Sequence, residues 1–242
     1  MKVKLFGPVG VEVRGHEVDL GPARQRTVLA VLAASAGHPV HKSALIDRVW
    51  DGNPPNEVNN VVYTYVARLR RQLRMTAPQL TIERKAGGYV LSGPLHVDLH
   101  EFGLLLRMSP AVRTPDAVLA ARLDEALRLS AEPLLADLTG TWVVQLRESA
   151  ARQRVTALMQ WTDVQVRLGN TEEPVNRLQD ALSAQPLAEP LVGRLMVVLR
   201  HNGRNAEALD CYQTARRRMI DAVGAEPGPE LRGLYQSILR TA

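Results

Sequence analysis

The stretch from Glu57 to Arg74, EVNNVVYTYVARLRRQLR, constrains this chain more than any other. Val58, Val62, Val66, Leu69 and Leu73 recur at helical spacing, with Tyr65 beside them, so one face of a helix is apolar. The opposite face carries Asn60, Thr64 and Arg71, flanked by Tyr63, Arg68, Arg70 and Arg74, and holds no acid after Glu57. Such a face can hydrogen-bond base edges or phosphates in a DNA groove. The plainer alternative is a solvated basic face on an ordinary helix, which is what most charge runs are.

The flanking sequence separates these readings. Lys2–Phe6, Val11–Arg14 and Glu17–Leu20 alternate like short strands, with turns at Gly7-Pro8 and Gly15. Pro22 opens a helix whose buried side is Val28, Leu29, Val31 and Leu32, and Gly37 ends it. A second helix spans Lys42–Trp50, and Asp51-Gly52-Asn53-Pro54-Pro55 breaks it before the Glu57 helix begins. Leu80–Lys85 and Tyr89–Leu91 then read as strands around the turn Ala86-Gly87-Gly88. Strands, three helices and a hairpin are the layout of a winged helix-turn-helix, third helix in the major groove and hairpin against the flanking backbone. Arg84 and Lys85 flank the hairpin tip, within reach of phosphate or a narrow minor groove.

After the linker Ser92-Gly93-Pro94 the pattern becomes helical almost throughout. Helices are predicted near 99–108, 115–129, 142–168, 173–184, 189–201, 205–223 and 230–239, with polar, Gly or Pro breaks between them. The pairs opened by Thr171-Glu172-Glu173-Pro174 and by Arg204-Asn205-Ala206-Glu207 resemble each other at roughly the 34-residue spacing of tetratricopeptide repeats. The expected fold is an α+β winged helix-turn-helix over residues 1–94, then an all-α tetratricopeptide-like helical-repeat domain over 95–242. A curved helical stack of this kind is more often a partner platform than a catalytic cleft.

Charge divides the same way. Residues 1–94 hold 13 Lys+Arg against 7 Asp+Glu, and the remainder 17 against 18. The formal charge of +5 therefore resides in the first segment, the one expected to meet a polyanion. Arginine outnumbers lysine throughout both segments, which points to genome composition rather than to function. Cys211 is the only cysteine, which leaves no disulfide framework, and it is expected as a small core residue. No apolar run approaches the ~20 residues of a membrane span, and no charged-then-apolar leader opens the chain. The expectation is a cytoplasmic, nucleoid-associated protein without a membrane partner.

Val49-Trp50, TYVARLRRQL and GGYVL resemble the DNA-binding domain of OmpR/PhoB-type response regulators, whose first sheet usually has four strands. The resemblance implies that Tyr63, Thr64 and Arg68 read base edges, Thr64 through a methyl on thymine and Arg68 as a fork on guanine. It also places Asn60, Arg70, Arg71 and Arg74 on or beside phosphate positions, matches Trp50 to an indole N–H donor to phosphate, and matches Lys85 to a wing cation. Lys42 and Arg84 complete the expected backbone contacts. For Trp50, core packing at the end of the second helix is the competing reading. Ala67 stands where those regulators commonly carry an arginine, so their base preference does not transfer.

VDLHEF at 97–102, AEPLLADL at 131–138, the run 185–212 and VGAEPGPELRGLYQSIL at 223–239 resemble the bacterial transcriptional activator domain. Joined behind an OmpR-type winged helix, that domain defines the streptomycete antibiotic regulatory protein (SARP) family, here in its short form. The resemblance implies a pathway-specific activator of a secondary-metabolite (antibiotic) gene cluster. It would bind direct repeats in promoter DNA, as a homodimer at least on DNA, and recruit RNA polymerase holoenzyme. Lys85-Ala86-Gly87-Gly88 departs from the family's Arg-Pro-Pro-Gly wing and implies a looser turn.

The sequence offers no catalytic constellation: G-x-x-x-x-G-K-[ST], G-x-S-x-G and H-E-x-x-H are all missing. His96 and His100, four apart with Asp98 between, have the spacing of a metal pair but no third ligand. The expectation is no enzyme, no metal and no cofactor. The alternative is a helical-repeat interaction adaptor with a head that binds nucleic acid without sequence choice.

Overall fold

The computed structural model describes residues 2–107 and 114–240. Its first part runs β1 (Lys2–Lys4), β2 (Gly10–Val13), β3 (His16–Glu17), α1 (Ala23–Ala34), β4 (Val40–His41), α2 (Lys42–Trp50), α3 (Val58–Thr76), β5 (Thr81–Lys85), β6 (Gly88–Ser92) and β7 (His96–Val97). Helices follow: α4 (Asp98–Leu106), α5 (Asp116–Leu129), α6 (Thr141–Arg167), α7 (Glu172–Ala184), α8 (Glu189–His201), α9 (Asn205–Val223) and α10 (Pro229–Leu239). The chain is thus a winged helix followed by an all-helical domain. The expected bounds of α2, α8 and α9 coincide with those observed, and the far end expected for α4, Met108, lies outside the described residues.

Two compact units arise by packing: residues 1–109 with 125–154, and residues 110–124 with 155–242. In the first unit a four-stranded sheet has the order β3-β2-β1-β7 and a second sheet the order β4-β6-β5. The fourth strand of the first sheet comes from beyond the wing. β7 pairs parallel to β1, Lys2 opposite His96 and Val3 opposite Val97. The expected strand Lys2–Phe6 is shorter because the backbone past Lys4 turns to other partners. Leu5 and Phe6 give their N–H groups to the Asp98 carboxylate at 2.8 and 3.1 Å. Asp98 is 3% exposed, and burial pushes its carboxyl above the ordinary carboxylate range, against the pull of the backbone N–H groups it accepts.

Residues 132–138 lie along the same chain edge as a strap. Leu135 N–H donates to the Leu5 carbonyl at 2.7 Å, Ala136 N–H to Gly7 at 2.9 Å, and Gly7 N–H returns to Pro133 at 3.0 Å. Leu135 holds a left-handed backbone (φ 53°), and Arg147 on α6 donates to the carbonyls of Leu134 and Leu135 at 2.9 and 2.8 Å, fixing that bend. Asp137 accepts the Val9 N–H at 2.8 Å and pairs with Arg26 on α1 at 2.6 Å. Leu134, Leu135 and Leu138 thereby join Val3, Leu5, Val28, Leu32, Val62 and Leu69 in one core. Each such side chain contributes roughly 1.5–3 kcal/mol of burial. Charge composition changes at Pro94; packing divides the chain elsewhere.

In the second unit α7 packs on α8, α8 on α9 and α9 on α10. Leu178, Leu191, Leu195, Met196, Leu199 and Met219 form its interior, and Tyr212 stacks on Tyr235 at 4.2 Å. Arg177 lies 4.2 Å over the Trp161 ring and pairs with Asp124 and Glu173 at 2.7 Å each. Cys211 is only half-buried, contrary to the core expected. It lines a groove with Leu182, Leu195, Leu199 and Asp210, because it stands one residue out of phase with the buried row Ala208, Tyr212, Ala215 and Met219 of α9.

Candidate nucleic-acid interface

α3 begins after a break that its sequence enforces. Asp51 closes α2 in the left-handed region (φ 52°), Gly52 continues the turn (φ 83°), and Pro54-Pro55 prevents helix until Glu57. Val62, Val66, Leu69 and Leu73 are buried on one side of α3, as the spacing requires. Gln72 accepts a hydrogen bond from the buried Gln25 on α1 at 3.0 Å, a second tie that fixes the helix's rotation. The surface it turns outward carries Glu57, Asn60, Tyr63, Thr64, Arg68, Arg71 and Arg74, all exposed.

The side chains on that surface differ in how they are held. Thr64 Oγ1 donates to the Asn60 carbonyl at 2.9 Å, so its proton is taken up by the helix itself. Asn60 Nδ2 donates to Glu57 Oε2 at 2.9 Å. Arg68, Arg71 and Arg74 make no hydrogen bond or ion pair among the described residues. Tyr63 is 64% exposed, with no hydrogen-bond or ring partner among the described residues. Arg70 lies farther round: its Nε donates to the Ile82 carbonyl at 2.7 Å, tying α3 to the wing strand β5.

The wing is the β5–β6 hairpin, paired in register from Thr81 opposite Ser92 to Lys85 opposite Gly88. Its two-residue turn has positive φ at both Ala86 (45°) and Gly87 (75°), as the twist of a tight hairpin demands. Gly88 is compelled by packing, since a Cβ there would lie 1.9 Å from the Val40 carbonyl oxygen of β4. Arg84 and Lys85 project exposed beside the tip, and Lys42 is half-buried at the start of α2.

Trp50 does not sit where a phosphate could meet it. Its ring is 5% exposed and stacks on Tyr65 at 6.2 Å, and its indole Nε1 is buried without a hydrogen-bond partner among the described residues. Core packing is the role this geometry gives it. The end of α2 is held instead through Asp51, whose carboxylate accepts the Thr141 N–H at 3.2 Å, and through Arg48, 5.8 Å from the Trp142 ring. His100 is likewise occupied, its Nε2 donating to the Ala34 carbonyl at 2.9 Å.

Two acids have roles that their sequence context does not state, Glu57 beside this face and Asp98 at the joint of β1 and α4. In the sequence Glu57 is only the last acid before the basic face; the hydrogen bond from Asn60 brings it into that face. Asp98 stands in the sequence only as the residue between His96 and His100. For Glu57 the spacing i, i+3 to Asn60 was the available signal. For Asp98 nothing local distinguishes a buried carboxylate from the many exposed acids in first helical turns.

Residues 15–91 match the family model "Transcriptional regulatory protein, C terminal" and residues 97–239 match "Bacterial transcriptional activator domain". The chain is similar to the transcriptional regulator RedD of Streptomyces coelicolor, 31% identical over 99% of this chain and 70% of RedD. It is also 31% identical to the regulatory protein AfsR of the same organism, over 99% of this chain but 24% of AfsR. A solved structure of Mycobacterium tuberculosis EmbR, in complex with a low-affinity phosphopeptide, superimposes with a TM-score of 0.86 at 28% identity. That match covers 99% of this chain and 65% of EmbR. Among the described residues no helix is long and apolar enough to cross a membrane.

Proposed function

Because this chain belongs to the SARP family of transcriptional activators, we propose that it binds promoter DNA sequence-specifically and activates a secondary-metabolite gene cluster. α3 enters the major groove, where Tyr63, Thr64 and Arg68 read base edges. Arg71, Arg74, Asn60, Lys42, Arg84 and Lys85 meet the sugar–phosphate backbone and set the register. Arg70 serves chiefly by holding the wing at its angle to α3, and Trp50 by supporting the helix-turn-helix from inside. Residues 1–94 supply the DNA-binding function and 95–242 the activator function. Two protomers on direct repeats would present their α3 helices to one face of the duplex, about 10–11 bp apart. RNA polymerase holoenzyme is the partner recruited, in the nucleoid, and no catalytic or cofactor role is assigned. Phosphopeptide binding is a property of the EmbR complex and is not carried over, since about a third of EmbR lies outside the match.

The observation that carries this reading is the exposed, cationic face of α3 lying opposite four fully packed aliphatic residues, with the wing cations beside it. The adaptor alternative shares the electrostatics and lacks the base preference. Titrating promoter against scrambled duplex over a range of salt separates them. Both weaken as salt rises, and the activator keeps a preference of about 10³ or more for its own site. Arg68→Ala is expected to erode that preference, and Arg74→Ala to weaken all duplexes alike; equal loss on both duplexes for Arg68→Ala would overturn the base-reading role.

A further inference from the structure

Four exposed side chains lie opposite the buried face of α3, Glu57 at its N-cap and Asn60, Thr64 and Arg68 within it, at spacings of 3, 4 and 4 residues. At 1.5 Å per residue this row is about 16 Å long, close to 5 base-pair steps at 3.4 Å. Its members are linked: Asn60 Nδ2 holds the Glu57 carboxylate at 2.9 Å, and the Asn60 carbonyl holds the Thr64 hydroxyl at 2.9 Å. A carboxylate at the leading end of a groove-reading helix is repelled by every phosphate, so it contributes nothing to general attraction. What it can do is choose.

We propose that Glu57, oriented by Asn60, is a specificity-determining residue that reads cytosine through its N4 amino group. This rests on the reading of α3 as a major-groove helix. The choice of base follows from the groove code. Guanine offers the major groove two acceptors, N7 and O6, and thymine the O4 acceptor, all of which repel a carboxylate. Adenine offers an amino group with the N7 acceptor beside it. Cytosine alone presents a donor with no acceptor of its own in that groove. Asn60 donates to one carboxylate oxygen, Oε2, so the group is steered and still has lone pairs to accept the base. Asn60 thereby moves from a backbone contact to a positioning residue, and one end of the operator half-site is assigned a cytosine.

The test is selection from a randomised duplex library with the full chain, comparing wild type with Glu57→Ala, Glu57→Gln and Asn60→Ala. Thermal unfolding beforehand checks that each variant is folded, and Glu57→Gln, which keeps the side chain's shape, serves if Glu57→Ala does not fold. The wild type should select a site with cytosine at one end. Glu57→Ala should lose that base's preference by about tenfold or more, leave the other positions unchanged, and bind scrambled duplex more tightly because a repelling charge is gone. Glu57→Gln should accept other bases there, and Asn60→Ala should relax the same position partially. A wild-type site that Glu57→Ala and Glu57→Gln select unchanged, or a loss spread evenly over all positions, overturns the role of Glu57 alone and reduces it to a helix-dipole partner. A wild type that selects no sequence overturns the DNA-reading proposal itself.

Discussion

Replacing Asp98 by alanine probes the joint between β1 and α4. In the wild type its carboxylate accepts the N–H groups of Leu5, Phe6 and Leu99, the shortest at 2.8 Å. Leu5 is fully buried, so its amide finds no water when the acceptor is removed; an orphaned buried donor costs about 1–3 kcal/mol. The amides of Phe6 and Leu99 are partly reachable by solvent and add less. The total expected is about 2–4 kcal/mol, tempered because the buried charge disappears too. The pH dependence carries a definite sign. Burial raises this carboxyl above its ordinary value of 3.8, so the folded state favours its protonated form. The contribution is fully present below that value and declines as pH rises through the raised one. The gap between wild type and Asp98→Ala should therefore narrow as pH rises above the ordinary value of 3.8. Urea unfolding followed by Trp50 and Trp142 fluorescence, in a Trp161→Phe background, measures it. A loss below about 1 kcal/mol, or a gap that widens with pH, would refute the reasoning.

Three further outcomes are expected. Gly88→Ala should destabilise the first unit by about 1–3 kcal/mol or more and weaken DNA binding with it, because the new Cβ meets the Val40 carbonyl rather than a movable side chain; thermal unfolding and duplex titration read both. Ala86→Asn should raise stability by about 1 kcal/mol, since Ala86 occupies the left-handed position (φ 45°) that asparagine tolerates better, and an unchanged unfolding midpoint would count against the strain. Cys211, whose thiol burial pushes up to about 11 from 9.0, should be alkylated by iodoacetamide at pH 8 about 100-fold more slowly than in the unfolded chain.

The parts of this fold that could be read in advance are those whose cause is local. The 3.6-residue recurrence of Val62, Val66, Leu69 and Leu73 identifies α3 and its outward face together. Pro54-Pro55 and Ala86-Gly87 announce the turns on either side of it. What stayed hidden depends on residues distant in sequence. The indole of Trp50 is enclosed because Tyr65 lies flat against it, and no pattern around position 50 states that. Arg70 looks like its neighbours Arg68 and Arg71 until β5 brings the Ile82 carbonyl alongside. The strap at 132–138 reads as an ordinary break between helices, and its pairing with Leu5 and Gly7 spans about 130 positions of chain. The left-handed Leu135 is a conformation that leucine does not advertise.

The parallel pairing of β7 with β1, together with that strap, bears on how the reading head can be isolated. A fragment cut after Pro94 would keep α3 and the wing yet leave Lys2–Phe6 with one flank bare, its amides and carbonyls facing water and Leu5 stripped of Leu134 and Leu135. Such a border invites another chain to add itself as a strand. The smallest well-behaved piece of this protein is therefore expected to borrow sequence from past the wing, and a DNA-binding fragment trimmed to its motif alone would be sticky before it was selective.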